Sequence, residues 1–296
     1  MTEMAAESTK RSGRGVRVSL WVMAVFVMLG AAVFQRLTGP THSLGGSFEI
    51  DGREYRYSLT RSGVSTEDER VAIPRPEGET HATLYYKRHK TDDSLTAVPL
   101  SPDGDELVAS LPRQPAAGKL EYTVAIGSAA GNAWLPGEGQ TVVIRFKDPV
   151  PLWLLLPHVI TMFFGILFGI RTGLAALFDP RAMPRLAVVT LMLLTVGGMV
   201  LGPLVQKLAF GALWTGFPFG YDLTDNKTLI MWLVWIAALV VLYRRQAALA
   251  TRRTAVLAAT VVMMAVYLIP HSLQGSELDY SQLDQGVAAE EAVTQG

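Results

Sequence analysis

Five uncharged apolar stretches limit the folds open to this chain. Each is nearly as long as the roughly 20 residues that a helix needs to cross a bilayer core. Lipid tails cannot form hydrogen bonds, so a spanning segment must pair its backbone N–H and C=O groups with each other, as a helix does. Half of the 296 residues are hydrophobic and 18% are charged, which also favours a membrane protein. The sequence therefore predicts a membrane α-helical bundle of five transmembrane helices, at about residues 18–34, 152–170, 186–205, 228–243 and 254–269.

Basic residues beside these stretches predict their orientation. They precede the first stretch and lie in the connections after the second and the fourth, where the positive-inside rule places the cytoplasm. Residues 1–17 are then a cytoplasmic tail, and residues 18–36 an uncleaved anchor helix, although a signal peptide is the alternative. The implied location is a bacterial-type inner membrane. The residues concerned are Lys10, Arg11, Arg14, Arg17, Arg171, Arg181, Arg185, Arg244, Arg245, Arg252 and Arg253.

Charge and cysteine content exclude several classes of function. The 26 basic and 26 acidic residues balance, so no overall positive field favours nucleic acid as a partner. The chain has no cysteine, which excludes disulfides, a thiolate nucleophile and Fe–S clusters. A redox cofactor would have to be held by histidine or bound without a covalent link.

Residues 43–148 have a different character. Short runs alternate between apolar and polar residues, and Gly, Pro and Asp separate them, a pattern typical of strands and turns. Seven or eight strands in this length predict an inserted all-β sandwich. The run LPRQPAAGKLEYTVAIG resembles the corner of immunoglobulin-like and fibronectin type III domains, in which a tyrosine, here Tyr122, pins the turn. Such a domain outside the membrane would bind a protein partner.

A chemically unusual segment, residues 211–227, precedes the fourth apolar stretch. It is an aromatic, glycine-rich loop that carries Asp222 and Asp225. Under the predicted topology it shares the outer face with His158 in the second stretch and His271 after the fifth. Ionisable residues in membrane segments are costly and point to function. We therefore expect the four-helix region 151–272 to form one site there.

The loop resembles a known signature. The sequence DLTDNKTLIMWLV is similar to the tryptophan-rich signature of the haem-handling membrane proteins of cytochrome c biogenesis. Asp222, Asp225, Leu229 and Trp232 match that signature at the family's spacing. The resemblance covers about residues 158–272, and that family also places one outward-facing histidine before the loop and one after it.

The resemblance implies haem binding at the outer face, with a role in cytochrome c maturation or haem delivery. His158 and His271 would be the axial ligands of the iron. A flat macrocycle would lie against the aromatic face of the loop, and Lys227 would meet a propionate. The other implied site residues are Trp214, Phe219, Tyr221, Asp222, Asp225 and Trp232.

Two further interpretations remain open. In one, the two histidines bind a metal ion or relay protons in a transporter or membrane enzyme, together with Asp222, Asp225, and Glu277 or Asp279. In the other, the chain is a non-catalytic scaffold that presents its β-domain to partners. The aromatic residues would then form an interfacial belt, and Asp222 and Asp225 would stabilise a helix start. The acidic tail, residues 273–296, is expected outside the membrane, with its last dozen residues disordered.

Overall fold

A computed structural model describes residues 2–78, 80–128, 131–270 and 275–294, with side chains from residue 15 onward. The chain divides into two compact units. The helical unit comprises Met1–Thr38, Pro151–Val205 and Leu223–His271. The β-unit comprises Gly39–Val150, Gln206–Asp222 and Ser272–Gly296.

The predicted apolar stretches are helical. Among the described residues, five helical spans are long and apolar enough to cross a membrane, which confirms that part of the sequence prediction. The third span contains a π-helical turn, Thr195–Leu201. The helices are α1 (Thr2–Thr38), α2 (Leu152–Phe178), α3 (Met183–Leu194), α4 (Gly202–Phe210), α5 (Leu223–Tyr243) and α6 (Leu249–Leu268).

Helix α2 presents glycines to its neighbours at every fourth position. A Cβ atom added to Gly165 would lie 3.1 Å from Leu194 on α3, and one added to Gly173 would lie 2.6 Å from Thr260 on α6. A Cβ at Gly169 would meet Met263 of α6 at 2.5 Å. Small residues at this spacing let helices approach closely in a membrane. Gly165 and Gly169 therefore permit close packing of α2 against α3 and α6.

The centre of the helical unit is apolar and tightly filled. Trp235 of α5 is fully buried, and its indole Nε1 lies 3.3 Å from Sδ of Met263. Ile166 of α2 and Val256 of α6 are also fully buried in the same cluster. In a membrane, apolar helices gain no hydrophobic free energy by associating, because lipid tails are also apolar. Van der Waals packing of this kind is then a main source of their association.

The β-unit forms several small sheets. One pairs β1 with β2, a second has the order β3-β11-β9-β5-β6 with β10 beside β9, and a third has the order β4-β8-β7. All pairs are antiparallel except β3 with β11. The strands are β1 (Leu44–Ile50), β2 (Arg53–Leu59), β3 (Ser62–Val64), β4 (Glu69–Pro74), β5 (Thr80–Arg88), β6 (Thr96–Pro99), β7 (Ser101–Asp103), β8 (Glu106–Leu111), β9 (Lys119–Ser128), β10 (Gly131–Leu135) and β11 (Val142–Lys147).

These three sheets share one core. Leu59, Ile73, Leu84, Leu111 and Tyr122 come from different sheets and are fully buried in a single apolar cluster. Alternate residues of each strand enter it because successive side chains point to opposite faces. The alternation in the sequence therefore predicted the buried face correctly, while the chain between residues 44 and 147 forms eleven strands in its described part and not the expected seven or eight.

The C-terminal segment is folded, so the expected disorder of its last dozen residues is wrong for those described, up to residue 294. Strand β12 (Glu277–Leu278) pairs with β13 (Val293–Thr294), and the short helix α7 (Tyr280–Asp284) lies between them. Asp279 caps this helix by accepting hydrogen bonds from Ser281 N and Gln282 N. The composition of this segment did not predict its structure, because the residues that stabilise it lie in other parts of the chain.

Ion pairs attach this segment to β9 and to the turn after β5. Glu277 accepts hydrogen bonds from Lys119 and from Lys90, the latter at 2.7 Å. Burial alone would raise the pKa of Glu277, but these two hydrogen bonds outweigh it and lower the pKa to about 2. Arg88 bonds to Asp284 through two nitrogens, at 2.7 and 2.9 Å. Glu277 therefore stays ionised at any physiological pH and keeps its pairing.

The tyrosine that pins the corner before β9 is Tyr280, and not Tyr122 as the sequence suggested. The Tyr122 hydroxyl donates to Thr60 O at 2.7 Å, far from that corner in sequence. The Tyr280 hydroxyl accepts from Lys119 N at 2.9 Å and lies 3.0 Å from Gln114 Oε1. A distant residue makes this contact, so the local sequence could not show it.

We expect Tyr280→Phe to lower the free energy of unfolding of the full-length protein by about 1–3 kcal/mol, because the Lys119 amide loses its buried acceptor. Denaturant unfolding in detergent measures this loss. Hydrogen exchange of peptides covering residues 112–120 should also become faster. Tyr85→Phe is the control, since it keeps the ring that lies 6.0 Å from the ring of Trp134. Equal exchange in both variants would contradict the assignment.

Candidate functional site

A cavity of about 240 Å³ lies within the helical unit, between α1, α2, α5 and α6. It brings together two of the predicted site residues, His158 and Lys227. Their neighbours combine apolar side chains with hydroxyl and amide groups. The other lining residues are Gln35, Val159, Met162, Phe163, Thr224, Thr228, Met231 and Tyr267.

His158 is held by the π-helical turn. Its ring Nδ1 lies 2.9 Å from the carbonyl oxygen of Gly197. A carbonyl can only accept a hydrogen bond, so Nδ1 is the donor, and in the neutral ring Nε2 then carries a lone pair. A hydrogen bond from one ring nitrogen to a backbone carbonyl is how metal-ligating histidines are commonly oriented. In its neutral form His158 is therefore oriented so that Nε2 is the ring nitrogen that can ligate a metal.

The π-helical turn also explains why Gly197 occupies its position. A Cβ atom there would lie 2.8 Å from Thr161 Oγ1 and 3.1 Å from the backbone nitrogen of Met162. The carbonyl of Gly197 additionally accepts from Gly202 N, five residues later. Single π turns in α-helices are frequent at functional sites. No local sequence pattern shows that Gly197 orients His158.

Trp232 and Lys227 have structural contacts in the helical unit. The indole Nε1 of Trp232 donates to Thr195 Oγ1 at 2.9 Å, which ties α5 to the π-helical turn. Lys227 is 2% exposed, and its Nζ donates to the carbonyl of Ile269 just beyond α6. A lysine at this point satisfies a carbonyl that the helix end leaves without a backbone partner. Lys227 was expected to meet a propionate, and this contact gives it a role within the protein.

Helix α5 begins at Leu223, five residues before the predicted stretch at 228–243 and at the helix start that the scaffold interpretation placed beside Asp222 and Asp225. Asp225 is in its first turn and is 5% exposed. An acid in the first turn is favoured by the positive end of the helix dipole. The end of the predicted loop, residues 223–227, is therefore part of a helix.

The rest of the predicted loop belongs to the β-unit. The indole Nε1 of Trp214 donates to Phe217 O at 3.0 Å, so this ring stabilises the loop itself. Phe219 and Tyr221 are 69% and 80% exposed. Exposed aromatic side chains of this kind suit an interfacial belt as well as a flat ligand.

Asp222 is buried and links the loop to the C-terminal segment. Its Oδ2 accepts from Ser276 N at 3.2 Å. The carbonyl of Ser276 in turn accepts from Arg145 Nη2 at 2.8 Å. Burial lowers the pKa of Arg145, and the charges of Asp222 and Glu277 partly oppose that effect. Asp222 therefore has a structural contact that does not require a ligand.

The predicted metal-binding group is not assembled in the part of the chain that the structure describes, which contains no cluster of three or more His, Cys, Asp or Glu side chains able to hold a metal ion. Glu277 is paired with lysines, and Asp279 caps α7. His271, the second predicted ligand, lies outside the described residues.

Comparison with known proteins assigns no family to this chain. No protein-family model matches it, and no curated protein does.

Gly197→Ala should destabilise the helical unit by about 1–3 kcal/mol, because the new methyl group displaces α2 at Thr161 and Met162. The thermal midpoint of the detergent-purified protein measures this. Gly202→Ala is the matched control on the same helical span, since its nearest contacts would be 3.5 Å from Gly197 O and 3.6 Å from His158 Cε1, in ordinary van der Waals range. Similar midpoints for the two variants would argue against the tight contact.

Proposed function

We propose that this chain is a membrane protein that binds haem, or a comparably flat ligand, through His158 at the outer face of its helical unit. The observation that carries the proposal is the contact of His158 Nδ1 with the Gly197 carbonyl, which in the neutral ring makes Nε2 the nitrogen that can act as a ligand. Haem iron is commonly held by such a neutral imidazole. Binding and transfer of the ligand, in cytochrome c maturation or haem delivery, would require no further catalytic group.

The imidazole ligands suit haem iron, but the cavity is too small for a complete haem. His158 supplies one axial ligand, and His271 would be the second. The cavity of about 240 Å³ is below the roughly 300 Å³ at which pockets for complete ligands begin. It can therefore enclose only part of a macrocycle.

His158→Ala and His158→Gln should each abolish or shift the Soret band of protein purified from haem-replete cells, because the iron loses a strong-field ligand. Gln can still donate to the Gly197 carbonyl, so it separates ligation from packing. His81→Ala, at an exposed position on β5, is the control and should leave the spectrum unchanged. The same change at His271 tests the second ligand.

The outcome without haem is also informative. If no preparation absorbs in the Soret region, haem binding is excluded. A divalent metal that co-purifies and is lost in both His158 variants would then favour the metal- or proton-handling function. Normal assembly of the His158 variants, with neither cofactor present, would favour the scaffold.

We also propose the orientation and the location. Basic residues in the N-terminal tail and in two connections support a cytoplasmic N-terminus, with the β-unit and the C-terminus on the outer side of a bacterial-type inner membrane. The five membrane-length helices are consistent with this arrangement.

Reporter fusions test the orientation. A periplasmic reporter fused after Asp148 or after Tyr280 should be active, whereas one fused near Arg181 or Arg245 should be inactive, because the positive-inside rule keeps those arginines in the cytoplasm. A cytoplasmic reporter at the same four positions should give the opposite pattern. Cytoplasmic activity after Tyr280 would move the C-terminus inward and remove His271 from the outer face.

The scaffold is a second candidate function, favoured by the contacts of the signature residues. Asp222 bonds to Ser276, and Lys227 bonds to Ile269, so both have roles without a ligand. On this proposal the β-unit is an immunoglobulin-like sandwich that binds a protein partner. Its single core shared by three sheets supports that architecture, which hosts many unrelated functions. Co-purification of a fixed partner would favour the scaffold.

A further inference from the structure

A second cavity of the helical unit, of about 510 Å³, lies near the C-terminal end of α2. Its size is within the roughly 300–1,000 Å³ typical of ligand pockets. Four arginines line it, with Asp179 as the one acidic lining residue, so three positive charges are in excess. The arginines come from α1, α2 and the region where α3 begins: Arg17, Arg171, Arg181 and Arg185.

Arg171 is the most unusual of these residues. Its side chain is 3% exposed, yet Nε and Nη1 have no hydrogen-bond partner in the part of the chain described. Its remaining nitrogen, Nη2, lies 3.9 Å from Asp179 Oδ2, beyond hydrogen-bond distance. A buried guanidinium with unused donors is costly. Such a group in a polar cavity points to an acceptor that would complete its hydrogen bonds.

Asp179 does not neutralise the cavity. Its Oδ2 lies 3.4 Å from Arg17 Nε and 3.9 Å from Arg171 Nη2, so one carboxylate is shared between two arginines. Arg181 and Arg185 are exposed at the same cavity. The missing partner should therefore be an anion with several acceptor oxygens.

We infer that this cavity is a binding site for a phosphate group. Guanidinium groups match the oxygens of phosphate through paired hydrogen bonds, and several of them can share one phosphate. The cavity also has an apolar side, formed by Trp21 and Leu186. Basic pockets between membrane helices bind acidic lipid headgroups. The phosphate can come from a phospholipid headgroup or from a soluble ion.

Full-length protein, freed of lipid in a non-ionic detergent, allows a direct test. We expect phosphatidylglycerol in mixed micelles to raise the thermal midpoint, because a ligand of the folded state stabilises it. Phosphatidylcholine, which has no net charge, should have little effect. Inorganic phosphate is added in a third series, so that a soluble ion is distinguished from a lipid headgroup.

Charge-matched double variants make the test specific. Arg181→Gln with Arg185→Gln removes two exposed arginines from the cavity, and should weaken phosphatidylglycerol binding by roughly 10- to 30-fold. Arg244→Gln with Arg245→Gln removes two exposed arginines after α5 and should leave binding nearly unchanged. Arg171→Lys keeps the charge but loses the planar fork, so it should also weaken binding.

The outcomes either support or overturn a phosphate site at this cavity. Stabilisation by phosphatidylglycerol that only the cavity variants reduce supports a lipid phosphate. The same dependence with inorganic phosphate alone supports a soluble phosphate at the same arginines. The inference is overturned if neither ligand stabilises the protein, or if both double variants weaken binding equally, which would indicate general attraction of anions to a basic surface.

Discussion

Close approach of α2 to its neighbours is the contact on which the helical unit depends. Lipid provides no hydrophobic force between apolar helices, so their association depends on how closely they pack. Gly165, Gly169 and Gly173 remove the side chains that would keep α3, α5 and α6 apart. At Gly169 the added atom would be 2.5 Å from Met263, which leaves no room for a larger residue without movement. The polar residues of α2 are positioned by this packing.

Two polar side chains of α2 illustrate different solutions to burial. His158 Nδ1 donates to the Gly197 carbonyl, which in the neutral ring leaves the lone pair on Nε2, whereas Arg171 is nearly inaccessible and has two donor nitrogens without a partner among the described residues. The first arrangement suits an electron-pair acceptor such as a metal centre, and the second suits an anion. The helical unit thus contains two buried polar groups with opposite chemical preferences.

The β-unit depends on residues far apart in the sequence. Tyr280 completes the corner before β9, and Glu277 joins Lys119. Asp222, from the loop before α5, bonds to Ser276. A fragment limited to residues 43–148 would lack each of these partners. We therefore consider the C-terminal segment a structural part of this unit.

The sequence alone was sufficient for the features that follow from local periodicity. Uncharged stretches predicted the membrane-length helices, alternation predicted the buried faces of the strands, and the acids at residues 222 and 225 indicated where α5 begins. Such patterns are readable because helix and strand periods place apolar residues on one face. The tertiary structure decided which groups meet. The π-helical turn directs the Gly197 carbonyl to His158, Lys227 bonds to Ile269, and Arg171 is enclosed without a full set of partners. The first two contacts join residues that are 39 and 42 positions apart, and their geometry depends on packing that no local pattern encodes.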